Sequence, residues 1–178
     1  MHRILLIFCF LSFIISGCAA STFRVLDAET KKPIEGAVAL AMWTKSRGLP
    51  GLSYRYTSKA VEAVSDAQGL LTFKWSQYTP HIKIYKPGYV GWDSTLIYLG
   101  PHKKNKTLPI YKSREGFTMR DQDIYLEAWK DEYTYMSHYF HIVTHPDIYE
   151  AGLKRSKYEK SIEYEDPLRS QERRVLSK

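Results

Sequence analysis

In a series of short stretches between residues 22 and 129, apolar and polar residues alternate with a period of two, the signature of strands with one face buried. Phe23 and Val25 begin the pattern. Val38, Leu40 and Met42 mark one face of a second strand and Ala37, Ala39 and Ala41 the other. The polar stretch 27–33 separates the two, and Pro33 and Gly36 punctuate the entry, where a strand interior would not tolerate them. Residues 44–53 hold Gly48, Pro50 and Gly51 and read as a loop, with 54–57 a short edge segment. The pattern predicts a hairpin of 59–65 and 70–75, with Leu71, Phe73 and Trp75 on one face. Its turn, Asp66-Ala67-Gln68-Gly69, has the Asp-first, Gly-fourth chemistry of type I. Ile82 and Ile84 point inward from 81–85, and Lys86-Pro87-Gly88-Tyr89 suits a type II turn. Both Gly69 and Gly88 are expected at positive φ. Two further strands follow at 95–99 and 108–111.

Residues 124–129 carry two patterns at once. Ile124, Leu126 and Ala128 alternate, whereas Tyr125, Trp129 and Tyr133 have helical spacing. A strand is the reading adopted, because it closes a seven-strand sandwich of ordinary size; a helix from Asp121 is the competitor. Beyond it the period becomes helical. Thr134 suits an N-cap, and Met136, Phe140 and Val143 form an apolar stripe expected to dock on the sandwich, ending before Pro146. Residues 149–161 suggest a second helix, and the charged end, broken at Pro167, a final short helix or disorder.

The N-terminus has a different character. An apolar run from Ile4 to Ile15 follows Arg3 and ends in Ile15-Ser16-Gly17-Cys18. The run is too short to span a bilayer and has the length of a signal-peptide core. The small residues before Cys18 resemble a bacterial lipobox, in which the cysteine thiol takes up a diacylglyceryl group; the alternative is ordinary cleavage near Ala19 or Ala20. Three acyl chains would exceed the threshold for stable anchoring. Ala19, rather than Asp, after the cysteine resembles lipoproteins of the outer membrane. The chain has only two cysteines, and Cys9 leaves with the signal, so the mature domain relies on its core rather than on disulfides.

The motif Val25-x-Asp27-x-x-Thr30-x-x-Pro33-Ile34-x-Gly36-Ala37-x-Ala39 resembles the opening hairpin of the carboxypeptidase regulatory-like domain, a prealbumin-type β-sandwich. Lys86-Pro87-Gly88-Tyr89 is similar to the family's K-x-G-Y element. The resemblance implies an antiparallel prealbumin/Ig-like sandwich of seven strands over residues 22–129, and an accessory rather than catalytic role. With it the chain divides into a signal peptide at 1–17, a short lipidated N-terminus at 18–21, the sandwich, and a helical, partly flexible extension at 130–178.

Charge and motifs narrow the chemistry. The 178 residues carry 26 Lys and Arg against 19 Asp and Glu, well interspersed. The dense spot His102-Lys103-Lys104-Asn105-Lys106 reads as a solvated hairpin loop, or else as a contact for lipid phosphates or an acidic glycan. An exported chain without a basic helix or RNP-type motif argues against nucleic acid. His138, His141 and His145 fall at i, i+3 and i+7 on one helix face. They read as packing or surface histidines, with a metal site as the alternative; no general-base glutamate sits between them as in H-E-x-x-H. Tyr89, Val90 and Trp92 cap the core or else stack on a sugar. No G-x-S-x-G, P-loop, C-x-x-C or dinucleotide fingerprint occurs. The expectation is a lipid-anchored, non-catalytic binding or scaffolding protein of a Gram-negative cell envelope, at the periplasmic face of the outer membrane. No cofactor is implied, and the only partners foreseen are the membrane and an envelope protein or glycan. Alternatives are a glycan-binding module using Tyr89 and Trp92, or a metal-dependent enzyme using His138, His141 and His145.

Overall fold

The computed structural model describes residues 20–74, 78–143, 151, 153 and 156–176. The signal segment, Cys18, Trp75 and His145 lie outside the described residues. The fold is mainly β, with a helical C-terminal extension. Its strands are β1 (Ala20–Asp27), β2 (Val38–Arg47), β3 (Tyr54–Val64), β4 (Leu70–Lys74), β5 (His81–Tyr85), β6 (Trp92–Asp93), β7 (Leu96–Pro101), β8 (Pro109–Ser113) and β9 (Gln122–Leu126). The helices are α1 (Tyr135–Ile142), α2 (Lys157–Ile162), a 3-10 turn at Glu163–Glu165, and α3 (Asp166–Leu176).

Nine described strands replace the seven expected. Seven of them form two facing sheets, β4-β1-β9 and β3-β2-β5-β6, and the additional pair β7-β8 makes a ladder of its own. Every pairing is antiparallel except β1 with β9, which runs parallel. Residues 124–126 are strand, with Ile124 and Leu126 buried and Tyr125 exposed, so alternation prevails over the helical spacing.

The core between the sheets takes Phe23, Val25, Leu71, Phe73, Ile124 and Leu126 from one side and Ala39, Ala41, Trp43, Ile82 and Ile84 from the other. The small alanines of β2 share this core with the large Phe23 and Phe73 of the facing sheet, the small-against-large arrangement that close packing favours. The other face of β2 is not in water. Val38, Leu40 and Met42 pack with Tyr85, Ile142, Tyr158 and Ile162 in a second core beneath the helices. Six consecutive residues at the start of β2 are therefore buried, as in a strand covered on both sides.

The turns behave as their residues predict, with Gly69 at φ +74° and Gly88 at φ +86°; β5 pairs antiparallel with β6 across the second, but the strands flanking the first do not pair with each other. The Asp66 carbonyl accepts from Gly69 N–H at 2.8 Å and its side chain from Gln68 and Leu70 N–H. Yet β3 lies against β2 and β4 against β1, so this turn carries the chain from one sheet to the other. The first connection does the same. Asp27 Oδ1 accepts from Glu29 N–H, Thr30 N–H and the Thr30 hydroxyl, Pro33 bridges back to Leu26, and β2 then enters the opposite sheet. β1 thus runs toward this end of the sandwich and β2 away from it. Residues 44–47, expected as loop, continue the β2 strand past a bulge at Trp43/Thr44, paired with the 54–57 segment, which is the start of β3.

Candidate functional site

The chemistry-bearing side chains gather where the helical extension meets the outer face of β5 and the segment after it. Thr134 caps α1, its Oγ1 accepting from Ser137 N–H at 3.4 Å. The helix is only two turns long, and it buries Ser137, His138, His141 and Ile142 while leaving Phe140 half exposed. That reverses the expected orientation. The stripe of Met136, Phe140 and Val143 is not what docks; the histidine face does.

Both imidazoles close on one residue, Gly91. Gly91 N–H donates to His138 Nε2 at 2.8 Å, and His141 Nε2 lies 2.8 Å from Gly91 O. The partners assign the tautomers. His138 carries its proton on Nδ1 and donates to Glu165 Oε1 at 2.8 Å, and His141 carries its proton on Nε2. Glycine is required between them, since a Cβ at residue 91 would overlap the Ile142 Cγ2 methyl. Tyr85 OH donates to the same Glu165 Oε1 at 2.8 Å, linking the far end of the extension to β5. Rings complete the enclosure, Tyr98 stacking on His141 at 5.4 Å and Trp129 meeting His138 edge-on at 5.1 Å.

A second branch holds the end of α1. The Lys83 ammonium donates to His141 O at 2.5 Å and Val143 O at 3.2 Å, placing a cation at a helix C-terminus. Asp93 Oδ2 lies 3.6 Å from it and 2.8 Å from His81 Nε2. Burial alone would raise the Asp93 carboxyl, but His81, Lys83 and the Thr95 amide hold it well below the usual range. Burial pushes Lys83 below an ordinary lysine, with Asp93 opposing. α2 is tied down separately: Glu62 on β3 accepts from the Ser156 hydroxyl and from Lys157 and Tyr158 N–H, capping that helix from outside.

A histidine hydrogen-bonded to a carboxylate has the parts of a general base, but here the nitrogen that would take a proton is occupied by Gly91 N–H. A metal at His138 Nε2 would have to displace the Gly91 N–H bond, whereas His141 Nδ1 has no hydrogen-bond partner. Among the described residues, no three His, Cys, Asp or Glu side chains come together as ligands. The arrangement works as a clamp for the extension. Sequence reasoning found the two histidines but missed Lys83, Asp93, Tyr85 and Glu165. Lys83 and Tyr85 fall at outward positions of β5, and nothing local shows that helices cover that face.

Tyr89 and Trp92 are also engaged at home. Tyr89 OH donates to Asp27 Oδ2 at 3.1 Å, joining the two motif segments. Trp92 is buried against Phe117, with the Arg114 guanidinium 4.6 Å above its ring. The 102–106 spot is an exposed hairpin loop between β7 and β8.

His141 makes the clamp sensitive to acid. Burial holds its imidazole down at about 4 from 6.5, assisted by the nearby Lys83 charge and opposed by the Gly91 bond. The unfolded chain binds the proton first, so this stabilisation is complete above about pH 6.5 and is lost as pH falls toward 4. The expected loss is on the order of 3 kcal/mol. His141→Gln, whose amide can still donate to Gly91 O, is expected to flatten the decline of the urea midpoint across that interval.

No family model matches the chain, and no curated protein does. Among solved structures, hydroxyquinol 1,2-dioxygenase from Pseudomonas putida DLL-E4 is similar over 65% of this chain at 15% identity, with a TM-score of 0.30. The chain spans 58% of the length of that structure.

Proposed function

We propose that this chain is a lipid-anchored protein of a Gram-negative cell envelope, held at the periplasmic face of the outer membrane through Cys18. Its carboxypeptidase regulatory-like sandwich serves non-catalytic binding or scaffolding. The observation that carries the reading is the apolar run ending in Ile15-Ser16-Gly17-Cys18, two residues before the first strand begins at Ala20. An acyl anchor at that position holds the sandwich directly against the bilayer, with no linker to span. The regulatory-like part is supported by the work its motif residues do. Asp27 and Thr30 build the first turn, Lys31 takes a left-handed φ of 59° within it, and Tyr89 of the second motif bonds back to Asp27. The engagement of His138 and His141 with Gly91 favours scaffolding over chemistry at that site.

Cys18→Ser tests the anchor. The variant is expected to leave the membrane fraction or to accumulate with its leader attached, while the wild-type N-terminal peptide carries acyl mass. An unmodified Cys18 in membrane-bound protein overturns the reading. Recovery in the inner-membrane fraction overturns only its outer-membrane part.

A further inference from the structure

The β2–β3 ladder does not end with the sandwich. After Trp43 both strands leave the core, and residues 44–55 are exposed throughout. The tip is a built turn: Leu52 N–H donates to Leu49 O at 2.9 Å, with Pro50 and Gly51 at its centre and Gly51 at φ +84°. It presents Leu49 and Leu52 at 72% and 80% exposure, with Tyr54 at 59% just behind. Along the stem, Lys45 lies opposite Tyr56 and Arg47 opposite Tyr54, so cations and aromatics share one face. Arg55 and Lys59 add two more cations, and no acidic residue occurs anywhere from Gly36 to Val61. At the root, a cleft of about 620 Å³ opens between Trp43, Lys45, Lys59 and Tyr78.

The direction of this finger is set by topology. β1 starts at Ala20 and runs toward the Asp27 turn, and β2 runs back. Lys74 pairs with Ala20, and Trp43 Nε1–H donates to Tyr78 O at 2.7 Å. The finger therefore projects from the same pole as the first residue of β1.

We infer that the 44–58 finger is a membrane-contacting element that seats Leu49 and Leu52 in the interface of an anionic phospholipid bilayer. Apolar residues at a tip, backed by tyrosines and by cations with no carboxylate among them, match the layered chemistry of a headgroup region over acyl chains. Lys45 and Lys59 at the root cleft suit a lipid phosphate. This extends the membrane-facing part of the proposed function and rests on it only for which surface the bilayer meets.

The test uses the mature chain, residues 18–178 with Cys18→Ser, so that its outcome depends neither on acylation nor on the apolar leader. Leu52→Cys, or Lys32→Cys at the opposite pole, then carries an environment-sensitive fluorophore. With vesicles containing phosphatidylglycerol, the probe at 52 is expected to shift to the blue and to be quenched by brominated acyl chains, while the probe at 32 stays aqueous. Vesicles of phosphatidylcholine alone are expected to give a much smaller shift. Lys45→Gln, Arg47→Gln and Arg55→Gln are each expected to weaken the titration about fivefold, on the scale of one surface cation. An aqueous probe at 52, equal response on both vesicles, or equal response at 32 overturns the inference. So does a shift produced by a soluble acidic polysaccharide in place of vesicles. Failure of the Cys18→Ser experiment would leave each of these outcomes readable.

Discussion

Ile142→Asp is expected to lower stability by roughly 4 kcal/mol or more, whereas Phe140→Asp changes it by less than about 1 kcal/mol. The two positions sit two residues apart on the same short helix and would be ranked the other way by size alone. Ile142 is 1% exposed and packs in the second core with Leu40, Tyr85 and Tyr158. A carboxylate there loses the transfer energy of the isoleucine and is desolvated among apolar side chains with no partner provided for it. Phe140 is 50% exposed, so a charge at its place remains in water. Urea midpoints of the two variants check the ranking. Limited proteolysis shows where the damage lies, because a sandwich that survives with its extension released gives a stable fragment ending near Trp129. Equal losses at both positions would mean that the Phe140 stripe docks after all.

The reason the stripe was misread is physical. A periodicity argument scores histidine as polar and therefore outward, but an imidazole has two nitrogens that can each be satisfied by a fixed partner, and the ring then packs like any aromatic. Gly91 supplies an acceptor and a donor from one residue, and neither is visible from positions 138 and 141 alone. β2 held a clearer signal. Its run from Ala37 to Met42 has no polar residue on either face, which predicts cover on both, and the helices provide it. The turns at Gly69 and Gly88 were legible because positive φ is a local demand. Which partners the strands beside Gly69 take was not, since Asp66 and Gly69 make the same bonds whether the chain returns along its own sheet or crosses to the other. Residues 44–53 read as a loop for their Gly-Leu-Pro-Gly-Leu tip; the absence of carboxylates from Gly36 to Val61 was the available clue.

The remaining large effect concerns the clamp itself. His138→Phe is expected to cost about 1–3 kcal/mol for each buried group it leaves short of a partner: the Glu165 carboxyl group, left with Tyr85 alone, and the Gly91 N–H. Glu165 Oε2 already has no partner, so the site has no reserve. Glu165→Leu alone is also destabilising, since His138 Nδ1–H and Tyr85 OH then lose their shared acceptor, at about 1–3 kcal/mol for each buried group left unpaired. The double variant differs from either single one, because the two substitutions remove donor and acceptor together. Its loss is expected to fall short of the sum by about 0.5–3 kcal/mol, the range for residues in direct contact. Tyr85 OH and Gly91 N–H stay unpaired in it, so it does not return to the wild-type level. Thermal or urea midpoints of the four proteins measure the cycle. Additive losses would show that the 2.8 Å contact does not hold the extension in solution. A midpoint raised by added zinc in the wild type but not in His138→Phe would show instead that these imidazoles leave Gly91 to bind metal.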